Sequence, residues 1–296
     1  MTIGAGFNFE HGVVLCADTK HSASYKIEAS KIFTETYENG AKSAFVYAGN
    51  MRYCRMAIEK FESAIASLRP EEATPQMMRG MVEGALRAIH REHIFVHPRF
   101  RTQELSIGFI GSLWSPHGGL YSFSTDDTSI TRFRGYDCIG TGDYLGHYLI
   151  RSRYKEAPRP LVLEDVLLIG ASTLVAIKNY DADCGGDSEF VLLKKDGTMS
   201  PIRHLDIAKG EKYSQLFDKA TELLYFSYAN PRADDAHLAA QMHAFQCNLK
   251  SARRFAKEIQ DMKEKLDALP KQSASQKSEP EPCASSLTTE SPNGET

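Results

Sequence analysis

The chain has 296 residues, 42% hydrophobic and 25% charged, with a formal net charge of −3, which is the balance of an ordinary globular protein able to bury a sizeable core. It lacks the basic excess of a nucleic-acid-binding domain. No apolar run approaches the roughly 20 residues of a membrane span, and the N-terminus has neither the basic nor the long apolar region of a signal peptide.

In chain order, residues 2–9 and 13–19 predict two strands joined by a turn at Gly12. Val13-Val14-Leu15-Cys16-Ala17 is apolar on both faces, as in a strand covered on both sides. Strands at 31–37 and 43–48 follow, separated by the turn signal Glu38-Asn39-Gly40. Asn50 is placed to cap a helix from Met51 to about Leu68, whose apolar face carries Cys54, Ile58, Phe61, Ile65 and Leu68. Thr74-Pro75 supplies the cap and first-turn proline of a second helix, in which Met78, Val82, Ala85 and Ile89 repeat the periodicity.

Strands are predicted again at 104–112, 119–124, 129–134 and 136–139, the last running into Gly140-Thr141-Gly142-Asp143. Helices at about 143–154 and 163–180 lead into the loop Asp181-Ala182-Asp183-Cys184-Gly185-Gly186 and a strand at 189–194. Helices grouped between strand runs point to stacked sheets with helices outside, not to a βαβ parallel sheet. Helices at 211–228 and 233–268 follow, the second expected to be broken or kinked. The Ser-, Pro-, Glu- and Lys-rich stretch 271–296 predicts a disordered tail. The resulting division is a core at 1–204, a helical extension at 205–270 and a tail at 271–296. The cysteines Cys16, Cys54, Cys138, Cys184, Cys247 and Cys283 form no CxxC pair and read as reduced thiols of a cytosolic protein.

Three residues near the start carry the most chemistry. Thr2 follows Met1 directly. If Met1 is removed, Thr2 offers a hydroxyl nucleophile and its own α-amine as base on one residue. A lone Asp at a strand end, such as Asp18, is usually a turn cap, and a lone Lys such as Lys31 usually faces solvent. On neighbouring strands the two acquire another meaning: Lys31 reaches Thr2, Asp18 pairs the ammonium, and the positive charge keeps the Thr2 amine neutral and basic near pH 7. Other patterns are weaker. Gly140-Thr141-Gly142 with Gly146 is spaced GxGxxxG, which departs from the dinucleotide fingerprint. His90, His93 and His97 could share a helix face as zinc ligands, but the arrangement is not HExxH and Pro98 follows at once.

The segment from Thr2 through Gly6, Gly12-Val13-Val14-Leu15 and Asp18-Thr19 resembles the proteasome β-type N-terminal nucleophile hydrolases without a gap. Lys31-Ile32-Phe33, Ala48-Gly49, Gly140-Thr141-Gly142 and Asp181 with Cys184-Gly185-Gly186 follow in the family's order. Thr141 and Cys184 stand where the family usually has serines, and the loop between Asp18 and Lys31 is shorter than in typical β subunits. The direct Met-Thr start and helical C-terminal extension look more like stand-alone bacterial proteasome-like proteins of the Anbu type.

The resemblance implies an α+β, four-layer αββα sandwich. It implies a cytoplasmic threonine endopeptidase acting on peptides or unfolded proteins, with no cofactor, metal, nucleic acid or membrane involved. Thr2, Asp18, Lys31, Gly49, Thr141, Asp181 and Cys184 are its expected catalytic residues, Gly49 through its backbone N–H. Tyr47 and Met51 are expected to line the substrate pocket. A ring-like or helical homo-oligomer is expected because Leu216, Phe217, Leu223, Leu224, Tyr225 and Phe226 of the extension must be buried somewhere, and an unfoldase partner is left open. An amidase or acylase acting on a small metabolite, and a non-catalytic structural subunit, remain as alternatives on the same fold.

Overall fold

A computed structural model describes residues 2–22, 26–97, 105–155, 157, 159–230 and 234–268. Met1, Pro98, Glu104, Cys283 and the expected disordered tail at 271–296 lie outside the described residues.

The first strands are β1 (Ile3–Phe9) and β2 (Gly12–Asp18), then a short ribbon of β3 (Lys20–Ser22) and β4 (Lys26–Glu28), then β5 (Ile32–Thr36) and β6 (Lys42–Gly49). Helices α1 (Met51–Ala66) and α2 (Pro75–Ile89) follow, and α2 runs into a π-helical turn at His90–Ile94. Next come β7 (Ile107–Ser115), β8 (Gly119–Asp126), β9 (Ser129–Arg132) and β10 (Tyr136–Gly140). The remaining elements are α3 (Asp143–Lys155), α4 (Leu163–Tyr180), β11 (Ser188–Lys194), β12 (Met199–Pro201), α5 (His204–Ala229) and α6 (Asp235–Ala268).

Two five-stranded sheets result, in the orders β10-β1-β2-β11-β12 and β5-β6-β7-β8-β9. Among the described residues their ladders are antiparallel throughout, so no parallel βαβ unit surrounds Gly140-Thr141-Gly142 there. The doubly apolar β2 divides its side chains between two cores. Val14 and Cys16 pack with α4 residues such as Val166 and Leu174, whereas Val13, Leu15 and Ala17 pack with Val46 and Ile110 of the other sheet. β6 alternates in the same manner: Ala44, Val46 and Ala48 join the inter-sheet core, and Phe45 and Tyr47 join the core against α1 and α2. The sheets approach closely at Gly4, where an added Cβ would lie 2.5 Å from Val46 Cγ1.

The helix starts follow local chemistry. The Asn50 side chain accepts from the Arg52 and Tyr53 amides, and Thr74 accepts from Met77 ahead of Pro75. The first turns of α5 belong to the body of the molecule, since Ile207 and Tyr213 pack into the core beneath α4. Farther along, Leu223, Tyr225, Phe226 and Tyr228 are exposed. Helix α6 lies against α5, with Phe217 and Phe245 rings 5.6 Å apart, and it runs unbroken where a kink was expected.

Candidate active site

β2 ends on Asp18, and this carboxylate is where distant parts of the chain meet. Lys31 Nζ donates to Asp18 Oδ1 at 2.7 Å, and the Ile3 amide donates to the same oxygen at 3.0 Å. The Gly185 amide donates to Oδ2 at 2.9 Å. Both side chains of the Asp18–Lys31 pair are 0% exposed. A buried carboxylate tolerates such a position only with several donors, and here it has three. Lys31 also donates to the Lys20 carbonyl, and its own carbonyl accepts from the Tyr47 amide at 3.3 Å, which fixes it at the edge of β6. Burial lowers the Lys31 pKa below the usual lysine value, with Asp18 opposing the shift.

Thr2 is 5% exposed and directly precedes the Ile3 amide that bonds Asp18. Its carbonyl accepts from Gly142 at 3.5 Å. Gly140 has φ +99°, and an added Cβ would sit 2.0 Å from the Thr2 carbonyl and 3.4 Å from Ala48 Cβ. Only glycine allows this approach, and it brings the end of β6 alongside Thr2. Gly49, next to Ala48, has φ +106°, and an added Cβ would lie 2.0 Å from the Ser106 carbonyl.

The loop after α4 closes another side. Asp181 accepts from the Asp183 amide at 2.8 Å and from Cys184 Sγ at 3.6 Å. Burial, with the nearby charges of Asp18 and Asp181, pushes the Cys184 thiol up to about 12, against an opposing hydrogen bond with Thr141. At neutral pH Cys184 is therefore a thiol and a weak donor, not a thiolate nucleophile. The geometry joins Thr2, Asp18, Lys31, Thr141, Asp181 and Cys184 in one neighbourhood, with Gly49 at its border. Tyr47 is buried between His21 and Phe33, with ring centroids 6.0 and 5.6 Å away, and Met51 is half-buried at the start of α1.

Some participants were not named as site residues from the sequence, although Ile3 and Gly185 lie inside the matched motifs. Ile3 and Gly185 act through backbone amides, and Lys20 through its carbonyl. Lys20 Nζ also reaches the carbonyls of Ala182 and, at 3.4 Å, Cys184. His21 accompanies them, its ring 3.2 Å from the Ala29 carbonyl and its pKa lowered by burial and then by the Lys31 charge. Its place beside an expected catalytic lysine strand was the signal that could have found it. The histidines considered for zinc do not converge: His90 is buried against Phe95, while His93 stacks on Tyr53. Among the described residues no group of three or more His, Cys, Asp or Glu side chains is placed to hold a metal ion. No helix among them is long and apolar enough to cross a membrane.

No protein-family model matches the sequence, and no curated protein sequence matches it. Solved structures do. An Anbu Gly-1 mutant from Hyphomicrobium sp. strain MC1 matches with TM-score 0.62 and 13% identity, over 78% of this chain and 100% of that one. Anbu, the ancestral beta-subunit, from Yersinia bercovieri matches with TM-score 0.61 and 10% identity, over 79% of this chain and 99% of that one. The helical assembly of the Anbu complex from Pseudomonas aeruginosa matches with TM-score 0.62 and 14% identity, over 79% and 99%. The structural neighbours of this chain are thus Anbu (ancestral beta-subunit) proteins, and it shares their fold across most of its length.

Proposed function

We propose that this chain is a threonine-type peptidase of the N-terminal nucleophile kind, built as a four-layer αββα sandwich. The observation that carries the reading is the buried Asp18–Lys31 pair, bonded through Asp18 to the amide next to Thr2. A purely structural core gains little from such a pair, because apolar side chains of similar volume usually serve stability as well.

With Met1 removed, the Thr2 hydroxyl attacks the substrate carbonyl and the Thr2 α-amine takes its proton, through a water. The positive charge of Lys31 disfavours protonation of that amine and keeps it basic at neutral pH. Asp18 holds Lys31. The Gly49 N–H stabilises the oxyanion, a role worth about 3–4 kcal/mol for one donor in other hydrolases. Thr141, Asp181 and Cys184 orient the amine and the water. The same amine later returns the proton to the leaving group, and water releases the acyl-enzyme.

The substrate class is a peptide or unfolded protein, with Met51 at the pocket surface and Tyr47, expected to line it but buried in the core, backing it from behind. The chain works in the cytoplasm as a homo-oligomer. In support, a neighbour of the same fold is described as a helical assembly, and α5 exposes Leu223, Tyr225 and Phe226. The division at 1–204, 205–270 and 271–296 is kept as part of the proposal, with α5 anchored in the core by its first turns. The test has two parts. Mass spectrometry of the purified chain should find Thr2 at the N-terminus. Thr2→Ala should abolish cleavage of fluorogenic peptides while the oligomer persists. Retained turnover in Thr2→Ala removes Thr2 as the nucleophile.

A further inference from the structure

Helix α5 does more than continue the chain beyond β12. Glu211, two turns from its start, receives Lys178 Nζ at 2.9 Å and the buried Ser188 Oγ at 2.5 Å on the same carboxylate oxygen. Lys178 also donates to the Gly186 carbonyl at 3.0 Å. Ser188 begins β11 directly opposite Asp18. Between these two anchor points lies the segment that touches Asp18 and β3. Gly185 donates to Asp18, the Lys20 amide donates to the Gly185 carbonyl at 3.0 Å, and the Asp187 amide donates to Thr19 Oγ1 at 2.8 Å. At the mouth of α5, His204 Nε2 lies 3.4 Å from Asp187 Oδ2.

We propose that Glu211 is a positioning residue: it clamps the 185–188 segment through Lys178 and Ser188, so that the Gly185 amide stays on Asp18 and the C-terminal helices are tied to the candidate catalytic centre. The positioning role rests on the peptidase reading, whereas the clamp itself can be read without it. The Lys178–Glu211 contact is mostly shielded, with 14% and 21% of the two side chains exposed, so solvent screens it incompletely. The groups that face Asp18 are Lys31, the Gly185 and Ile3 amides, Cys184 from the loop, with Asp181 on the far side of Cys184, and His21 from β3. Losing the Gly185 donor removes a bond that favours the charged carboxylate. Asp18 and the Lys31 ammonium it holds then shift relative to the Thr2 amine, which loses part of the positive charge that keeps it neutral.

The experiment compares Glu211→Ala and Lys178→Met with wild type in the full chain, by amide hydrogen exchange and by the pH profile of kcat/KM. In both variants the Gly185 and Asp187 amides should exchange roughly tenfold faster or more, as expected for losing charge-assisted bonds, while β1 and β2 amides keep their protection. The acid limb of the profile should move to higher pH by about half a unit, a change that a smaller folded fraction cannot produce because it scales the rate equally at every pH. Unchanged exchange in both variants overturns the clamp, whatever the activity. Faster exchange with an unmoved profile overturns the positioning role. A wild-type chain with no turnover overturns the peptidase reading and the positioning role with it, and the exchange data still decide the clamp.

Discussion

Asp18 and Lys31 meet at 2.7 Å with neither side chain exposed, and the Ile3 amide shares the carboxylate oxygen that takes the ammonium. Removing one partner leaves the other charged and buried. Asp18→Ala should therefore cost about 3–5 kcal/mol of stability. The double variant Asp18→Ala with Lys31→Met should recover most of that loss, since no buried charge remains. Urea denaturation of the two variants checks it. Equal destabilisation in the single and double variants contradicts the pairing account.

Lys31 also sets a pH limit. The Thr2 amine must be neutral to act as base, so activity rises on the acid side as that amine loses its proton. The Lys31 charge lowers the amine pKa and so moves this acid limb to lower pH, whereas above about pH 9 an amine of pKa about 8 is neutral with or without it. Burial lowers the Lys31 pKa from the ordinary 10.5, and the bond to Asp18 opposes that loss of charge. In Lys31→Ala an unshifted α-amine near pKa 8 is mostly protonated at neutral pH, and turnover at pH 7 should be nearly lost. A Lys31→Ala profile whose acid limb coincides with that of wild type excludes the role given to Lys31.

Gly49 tests the oxyanion assignment. A Cβ there meets the Ser106 carbonyl, and φ +106° strains any other residue by roughly 1–3 kcal/mol. Gly49→Ala should tilt the peptide plane and reduce kcat by about 10²–10³-fold. Circular dichroism should find the secondary structure retained. Wild-type kcat in the variant would take the N–H of Gly49 out of the mechanism.

The pocket prediction rests on Tyr47, Met51 and their neighbours His21 and Phe33. A lining of this kind disfavours an unpaired charge and suits apolar or aromatic side chains at the cleaved position. A peptide library read by mass spectrometry gives the profile. Dominant cleavage after acidic or basic residues would refute the lining.

Much of the fold was legible because its causes are local. The two-faced β2 and the caps Asn50 and Thr74 all sit where sequence patterning places them. The β3–β4 ribbon was missed because its strands are three residues each and mostly polar. Helix α5 was expected to begin at 211 and begins at His204, since Gly210 reads as a breaker yet is buried within the helix. Thr2, Asp18 and Lys31 could be named in advance from residue type and order. The contact from Gly185 to Asp18 could not, because a backbone amide 167 residues away carries no signature of its role.

The confinement of Thr2 has a consequence for timing. Its carbonyl is gripped by Gly142, its successor is bonded to Asp18, and β1 is zipped between β2 and β10. An aminopeptidase needs the first residues extended in its own cleft. On the peptidase reading, excision of Met1 would therefore belong to the nascent chain, before β1 finds its neighbours. Protein refolded with Met1 in place should resist trimming by a methionine aminopeptidase that readily processes the unfolded chain. The order of synthesis, trimming and closure would then decide what fraction of molecules ever becomes competent.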